Sequence, residues 1–463
     1  MVSVRINSDK SISIGSSTKH IFPVGIDSMT HPVYDNSPYE AAPGPYANRD
    51  TVFSYTEYGL EWSPGTYTTA RLEGYRKAYE AAGTMYTLPA FFDTSVLVSS
   101  LIDSPQFFSY CQIDEPENQA IAYRPTLSQL LGWYNDIKAR DSNHPVFLNC
   151  ERYPSTYLYV CDILAIDRYP IRPTTSYTRS QAIYAQELYL KKQGFDSGSA
   201  SSGPYAWDNH NTSQPVWFMM QANGLESKKS STGDVELWVP TKQEARALMF
   251  SALCVDFNGI VFWCYQNSGG MQESKSPPEC YHQTGTRCNS VMHAYYMQLA
   301  REVRDILNDA LVSPTIAHSW YGLTDLTSVN ISPNPLVYAA GFAINKFSYL
   351  LKRNTINGKY YLFVVNKDAN STTVSIDITA LHGTGSLKAV TIGYETSGSA
   401  MAGVEHYVSN GVFSDTFDGF GSHAYELSST SITPAPTPTP TPGVIKFPVN
   451  VESYPPDANV VIQ

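Results

Sequence analysis

The chain has 463 residues, too many for one ordinary core, so two or more domains are expected. Its formal net charge is −11 and it has no lysine or arginine block, which argues against a nucleic-acid partner. It contains no apolar run of about eighteen residues, so no stretch reads as a membrane-spanning helix.

Hydrophobic residues make up 42% and charged residues 16%, while aromatics reach 13% with 33 Tyr. Aromatic and amide groups suit neutral, hydroxyl-bearing ligands, because sugar rings combine apolar faces with hydrogen-bonding edges; tyrosine is also simply common in strands. The opening MVSVRINSDK lacks the apolar core of a signal peptide, so the expectation is a cytoplasmic protein or one whose leader is absent from this sequence. Of the seven cysteines, Cys111, Cys150 and Cys161 fall in or beside apolar runs and read as small core residues. Cys280 and Cys288 flank a polar loop that a disulfide can close, which would indicate an oxidising compartment. The remaining Cys and His spacings match no zinc site, and no metal or organic cofactor is implied.

From residue 21 to about 265 one grammar recurs: an apolar run, a polar loop, then a helical stretch. The runs are IFPVGID (21–27), TVFSY (51–55), TMYTLPAFF (84–92), FFSYCQIDE (107–115), PVFLNC (145–150), DILAIDRY (162–169), PVWFMMQ (215–221) and GIVFWCY (259–265). Continuous apolar runs suit parallel strands buried on both faces. Thr126 with Gln129 and Thr241 with Glu244 form capping boxes that open helices. A further helix is predicted near 69–82, ending at Gly83, and another over 291–307. Eight strands alternating with helices predict a (β/α)8 TIM barrel over 1–308, with an N-terminal β extension. A doubly wound sheet is the alternative, but no GxGxxG follows the first strand.

Beyond about 309 the pattern changes to alternation by twos, broken by Asn-Gly and Gly, which predicts an antiparallel β-sandwich over 309–430. Residues 431–444 form a Thr/Pro-rich, semi-rigid linker. Residues 445–463 resemble the first strands of a PEGA-type β module cut short, with surface attachment expected through what would follow.

A barrel places its site at the C-terminal strand ends. Those positions hold Asp27, Glu57, Asp93, Asp114 with Glu115, Glu151, Asp167, Gln221, and Tyr265 with Gln266. A single acid after a strand is usually a helix cap, whereas a ring of them makes a polar pocket. Glycosidic cleavage needs one carboxylic acid to protonate the leaving oxygen and a second group across the ring. A neighbouring carboxylate and burial both raise a carboxyl pKa, and adjacent Asp114 and Glu115 supply such a neighbour. Strand alternation sends neighbours to opposite faces, so both can face the pocket only through a bulge or a turn at Pro116.

CQIDEPEN (111–118) resembles the Asn-Glu-Pro or Asp-Glu-Pro motif of barrel glycoside hydrolases, in which the Glu is the general acid/base. DILAIDRYPI is similar to their sixth-strand Asp-x-Tyr-Pro segment, and PTKQEARALMFSALCVDFNGIVFWCY to their seventh helix and eighth strand, where a Trp floors the sugar site. SDKSISIGSSTKHIFPVGID and FSDTFDGFGSHAYEL resemble their first strands and C-terminal accessory domain. The resemblance spans 5 to about 428 and implies a glycosidase acting on an oligo- or polysaccharide outside the cell or on its surface, with Glu115 as acid/base. One departure stands out: Gln221 occupies the strand-seven place of the nucleophilic Glu.

Three readings follow. Asp167, then Glu57, supplies the second carboxylate; or Asp114 orients a 2-acetamido group that is itself the nucleophile while Glu115 protonates; or the barrel only binds glycan. Gln221, Trp263, Tyr265, Tyr169, Glu57 and Asp27 are the expected substrate contacts. An aldolase- or isomerase-like phosphate barrel would want a strand-end Lys, whereas Lys228 and Lys242 are expected in or after a loop.

Overall fold

The structure is a computed structural model that describes residues 3–27, 52–55, 85–89, 101–117, 125–151, 154–172, 174, 176–193, 214–222, 225–228, 235–238, 240–263, 290–319, 329–339, 342–381, 387–394 and 403–429. A short antiparallel hairpin, β1 (Val4–Ile6) with β2 (Ile12–Ile14), precedes the barrel. Eight parallel strands then close on themselves: β3 (Val24–Asp27), β4 (Phe53–Tyr55), β5 (Met85–Pro89), β6 (Phe107–Cys111), β7 (Val146–Cys150), β8 (Ile163–Arg168), β9 (Val216–Gln221) and β12 (Gly259–Trp263). β12 pairs with both β9 and β3, which completes the ring. The (β/α)8 expectation holds.

Period-two alternation sorts the strand residues into two layers. Phe53, Phe108, Phe147, Ile163, Ala165, Trp217, Met219 and Val261 fill the barrel. Leu148, Cys150, Leu164, Ile166, Phe218, Met220 and Phe262 pack outward with the helices. Inside, Phe53 stacks on Phe108 with ring centroids 4.4 Å apart, and Trp217 lies 5.3 Å from Phe53. Two strand glycines make room for these rings. A Cβ on Gly25 would sit 2.4 Å from the Phe53 ring, and one on Gly259 would sit 2.6 Å from Trp217. Val4 and Ile12 of the leading hairpin join this inner layer.

The helices follow their caps. α1 (Leu127–Arg140) opens on the Thr126–Gln129 box and α3 (Lys242–Cys254) on the Thr241–Glu244 box. Between them lies α2 (Ala182–Gln193), and α4 (Ser290–Arg301) continues through a π-helical turn, Glu302–Leu307. The helix expected near 69–82, the Cys280–Cys288 loop, the linker and the last module lie outside the described residues. Where Lys228 was expected in or after a loop, the chain forms a second hairpin, β10 (Leu225–Lys228) with β11 (Val235–Trp238). Lys228 therefore ends a strand, but one of this hairpin rather than of the barrel.

After the helix ending at Leu311, a six-stranded antiparallel sheet forms in the order β13 (Thr315–His318), β17 (Phe347–Arg353), β18 (Tyr360–Asn366), β23 (Ser422–Ser429), β20 (Leu387–Ile392) and β21 (Glu405–Tyr407). A three-stranded sheet, β14 (Asn330–Ser332), β19 (Thr372–Asp377) and β22 (Val412–Phe417), shares a core with it, and β15 (Leu336–Ala339) pairs with β16 (Phe342–Asn345) in a separate hairpin. β17 and β18 are joined through Asn357-Gly358, with Gly358 at φ +74 as such a turn requires. β18 is buried on both faces. Leu362 and Val364 enter the sandwich core, while Tyr361, Phe363 and Val365 pack with the barrel helices.

Buried ion pairs tie the barrel helices to that sheet. Arg246 of α3 donates through both terminal nitrogens to Glu302, one bond being 2.8 Å, and its Nε donates to the Ser422 carbonyl at 3.2 Å. Glu302 Oε1 also accepts from the Tyr394 amide at 3.0 Å. Glu187 of α2 pairs with Lys367 and accepts from Ser348 Oγ at 2.9 Å. Asp256, just past α3, pairs with Lys352 of β17 at 2.9 Å.

Removing one partner of a fully desolvated pair strands the other charge. Glu302→Ala is expected to lower unfolding free energy by about 3–5 kcal/mol, whereas replacing Arg246 and Glu302 together by apolar residues of similar volume should cost far less. Urea unfolding of both variants checks this.

Candidate active site

The site begins with an irregularity in the β6–β7 ladder. Tyr110 aligns with Val146 and Cys111 with Phe147, as a regular parallel pair requires. The Gln112 amide then donates to the Phe147 carbonyl at 2.8 Å, and the next bond to β7 runs from the Glu115 amide to the Asn149 carbonyl at 3.0 Å. The ladder thus advances three residues on one side and two on the other, which is a bulge of one extra residue. Glu115 sits at φ +41, in the left-handed region that costs a non-glycine residue about 1–3 kcal/mol. This distortion releases Asp114 and Glu115 from strict alternation. Proline at 116 removes the next amide donor at the point where pairing stops.

Asp114 and Glu115 converge on Asp167. Asn149 Nδ2 donates to Asp114 Oδ1 at 2.9 Å. Asp167 lies on β8 in the alternation of Ile163 and Ala165, which face the barrel interior, and is only 2% exposed. Its side chain is hydrogen-bonded to that of Glu115. Burial pushes the Asp167 carboxyl well above the usual range, the Glu115 carboxyl in contact with it adds to this, and Asp114 adds further. The Asp167 carboxyl is therefore the one that tends to keep its proton, with the Glu115 carboxyl against it. Asp167 Oδ1 is buried without a hydrogen-bond partner in the structure.

An aromatic wall stands above this pair. Trp263 is level with Gln221, and Arg168 is level with Met220, so Tyr169 follows at the height of Trp263. The two rings stack with centroids 4.5 Å apart and planes 19° from parallel. They lie two residues beyond Asp167 along the strands, about 6–7 Å toward the mouth. Trp263 faces the barrel side with Val261, and Phe262 turns outward onto Tyr296.

Other expectations fare differently. Gln221 is fully buried, and its amide bonds the backbone of Ile171: Oε1 accepts from the Ile171 amide at 2.8 Å and Nε2 donates to the Ile171 carbonyl at 2.9 Å. These bonds brace the loop after β8. Glu151 accepts from Arg168 Nη1 at 2.8 Å, and Arg168 also donates to the Glu151 carbonyl at 2.5 Å. Asp27 ends β3. Glu57, Asp93 and Tyr265 lie outside the described residues.

Sequence reasoning missed three participants. Asn149, 1% exposed, binds Asp114 and Glu115 at once. Its signal is a polar amide in an apolar run, at the alternation position that Phe147 turns inward. Arg168 supplies the positive charge beside Asp167. Glu117 lies close enough to Cys150 and Tyr157 to raise both, adding to the larger effect of burial. Among the described residues no cluster of His, Cys, Asp and Glu is arranged to hold a metal ion.

No protein-family model matches the sequence, and no curated protein matches it. Solved structures do match. A glycoside hydrolase superposes with TM-score 0.54 at 11% identity, over 93% of this chain and 98% of its own. A family 39 glycoside hydrolase from Bacteroides cellulosilyticus gives 0.48 at 13% identity, over 90% and 84%. A family 30 xylanase from Clostridium acetobutylicum gives 0.44 at 12%, over 88% and 96%. At these identities the likeness is one of fold: a barrel with a C-terminal β domain of the kind found in glycoside hydrolases.

Proposed function

We propose that the protein is a glycoside hydrolase that cleaves O-glycosidic bonds in an oligo- or polysaccharide by carboxylate acid/base catalysis. The observation that carries this reading is the contact between the Glu115 and Asp167 carboxyls at the C-terminal mouth of the barrel. The stacked Tyr169 and Trp263 beside it offer the apolar surface that a sugar ring needs. The Thr/Pro-rich stretch at 431–444 fits an extracellular or surface-attached enzyme.

In this reading Glu115, the more exposed of the pair, delivers the proton to the leaving oxygen. Asp167 beneath it keeps a proton available at neutral pH. Hydrogen-bonded carboxyl oxygens lie about 2.5–3.0 Å apart. Retaining enzymes separate their two carboxyls by about 5–5.5 Å and inverting ones by about 6.5–9.5 Å. Glu115 and Asp167 therefore work from one side of the bond. The group across the ring comes from elsewhere, and β3 is the strand opposite β7 in the ring. Asp27 at the end of β3, or Glu57 two residues beyond β4, is our assignment for it.

The same contact supports a second reading, in which the opposite face needs no carboxylate from the protein. Asp114 would then orient a substrate 2-acetamido group, which attacks the anomeric carbon while Glu115 protonates. The two readings part on substrate and variant. Substrate assistance requires turnover confined to 2-acetamido glycosides and indifferent to Asp27→Asn and Glu57→Gln. The carboxylate reading requires turnover of 2-hydroxy glycosides, lost in one of those variants.

Glu115→Gln is expected to lower kcat by about 10²- to 10⁴-fold with glycan affinity retained, measured by reducing-end release and calorimetry. Undetectable turnover by the unmutated protein across a broad glycan panel, with glycan binding intact, would leave a binding module instead.

Asp167 also makes a stability prediction. Its folded pKa is raised, so the folded chain keeps a proton that the unfolded chain releases. Stability therefore falls as pH rises from the ordinary carboxylate range toward the folded value. Asp167→Asn removes that dependence, so its gain in Tm over the parent should be larger at about pH 8 than at about pH 4. Equal differences at both values would show that Asp167 does not carry the proton.

A further inference from the structure

A parallel ladder can lose register at its end in many ways, and most would let Asp114 and Glu115 swing apart. Here a single residue of the neighbouring strand meets both. The Asn149 carbonyl accepts from the Glu115 amide at 3.0 Å, beyond the extra residue, and its side-chain Nδ2 donates to Asp114 Oδ1 at 2.9 Å, within it. Asn149 is itself held on both sides: β7 pairs with β6 at Cys111–Phe147, and Asn149 is level with Ala165 on β8, two residues before Asp167. It is 1% exposed, so its amide has little freedom to follow solvent. One rigid residue therefore spans the distance between the strained turn and the strand that carries Asp167.

We propose that Asn149 is a positioning residue that clamps the β6 bulge through the Asp114 side chain and the Glu115 amide, so that the Glu115 carboxyl is held against Asp167. It touches neither the sugar nor the transferred proton and acts through Asp114 and Glu115. The left-handed backbone at Glu115 is what the clamp retains: without the side-chain bond, the turn can relax toward ordinary φ, and the Glu115 carboxyl leaves its partner. The effect on turnover rests on the glycosidase reading, whereas the effect on the carboxyl pair does not.

The test follows that division. The protonated carboxyl of the pair is followed by infrared difference spectroscopy across a pH titration, its band assigned by loss in Asp167→Asn. In parallel, kcat and KM are measured against pH on a hydrolysed glycan. Asn149→Ala is expected to move the band's titration to lower pH and to lower kcat by about 10-fold or more, with KM little changed and the alkaline limb of the rate profile shifted the same way. Exchanging the pair, Asp114→Asn with Asn149→Asp, rebuilds the hydrogen bond with its polarity reversed and should recover most of the titration shift, whereas Asn149→Asp alone should not. A band and a rate profile that superpose on the parent's in Asn149→Ala would overturn the proposal. If Asn149→Ala fails to fold, the exchange decides: recovery of fold and titration together supports the clamp, and recovery of fold alone reduces Asn149 to a structural residue. A shifted band in a protein without turnover would leave the clamp standing and remove the glycosidase reading.

Discussion

A parallel strand sends consecutive side chains to opposite faces, and a pair of adjacent acids at its end can serve one pocket only if the ladder is broken. The extra residue between Gln112 and Glu115 is that break. It lets Asp114 and Glu115 approach Asp167 from β6 while Asp167 comes up from β8, with β7 and its Asn149 between them. The contact of the Glu115 carboxyl with Asp167, which adds to the rise that burial gives the Asp167 pKa, presupposes this local distortion.

Such a site costs stability in several ways. A left-handed non-glycine residue, a buried carboxyl with an oxygen unpartnered and three acids in one neighbourhood each work against the folded state. The surroundings restrain them. The barrel below is filled by Phe53, Phe108, Phe147 and Trp217, so the strands have little room to relax. Gln221 braces the loop after β8, and Arg168 lies beside Asp167 while holding Glu151. Behind the barrel helices, the sandwich adds a second rigid layer through Arg246–Glu302 and Glu187–Lys367. A sheet buried on both faces is not an appended module that swings freely; its β18 side chains belong to the same apolar cluster as α3.

Much of this architecture was legible because it depends on repeated patterns. Eight apolar runs, two capping boxes and an Asn-Gly turn each report a local preference that the fold keeps. The hairpin at 225–238 was not legible, since its short strands look like loop when no neighbour is known. Glu115 and Asp167 could be picked out as acids at strand ends, but their contact could not. It depends on one inserted residue, and a periodic reading has no means of seeing a single break in its period. At Gln221 the polar residue at a strand end meets the Ile171 backbone with both halves of its amide, a partner that no local pattern announces.

That substitution is also informative about chemistry. An amide at the end of β9 cannot attack an anomeric carbon, and here it is committed to the protein backbone. The position resembling the usual nucleophile site is therefore closed both by residue type and by burial. In the proposed glycosidase, with Glu115 and Asp167 joined on one side, the second group comes from across the mouth or from the substrate. Asp27 at the end of β3 is the acid proposed for the first place, and Asp114, already oriented by Asn149, the one proposed for the second. Either way, the mechanism turns on what faces the Glu115–Asp167 unit rather than on the unit alone.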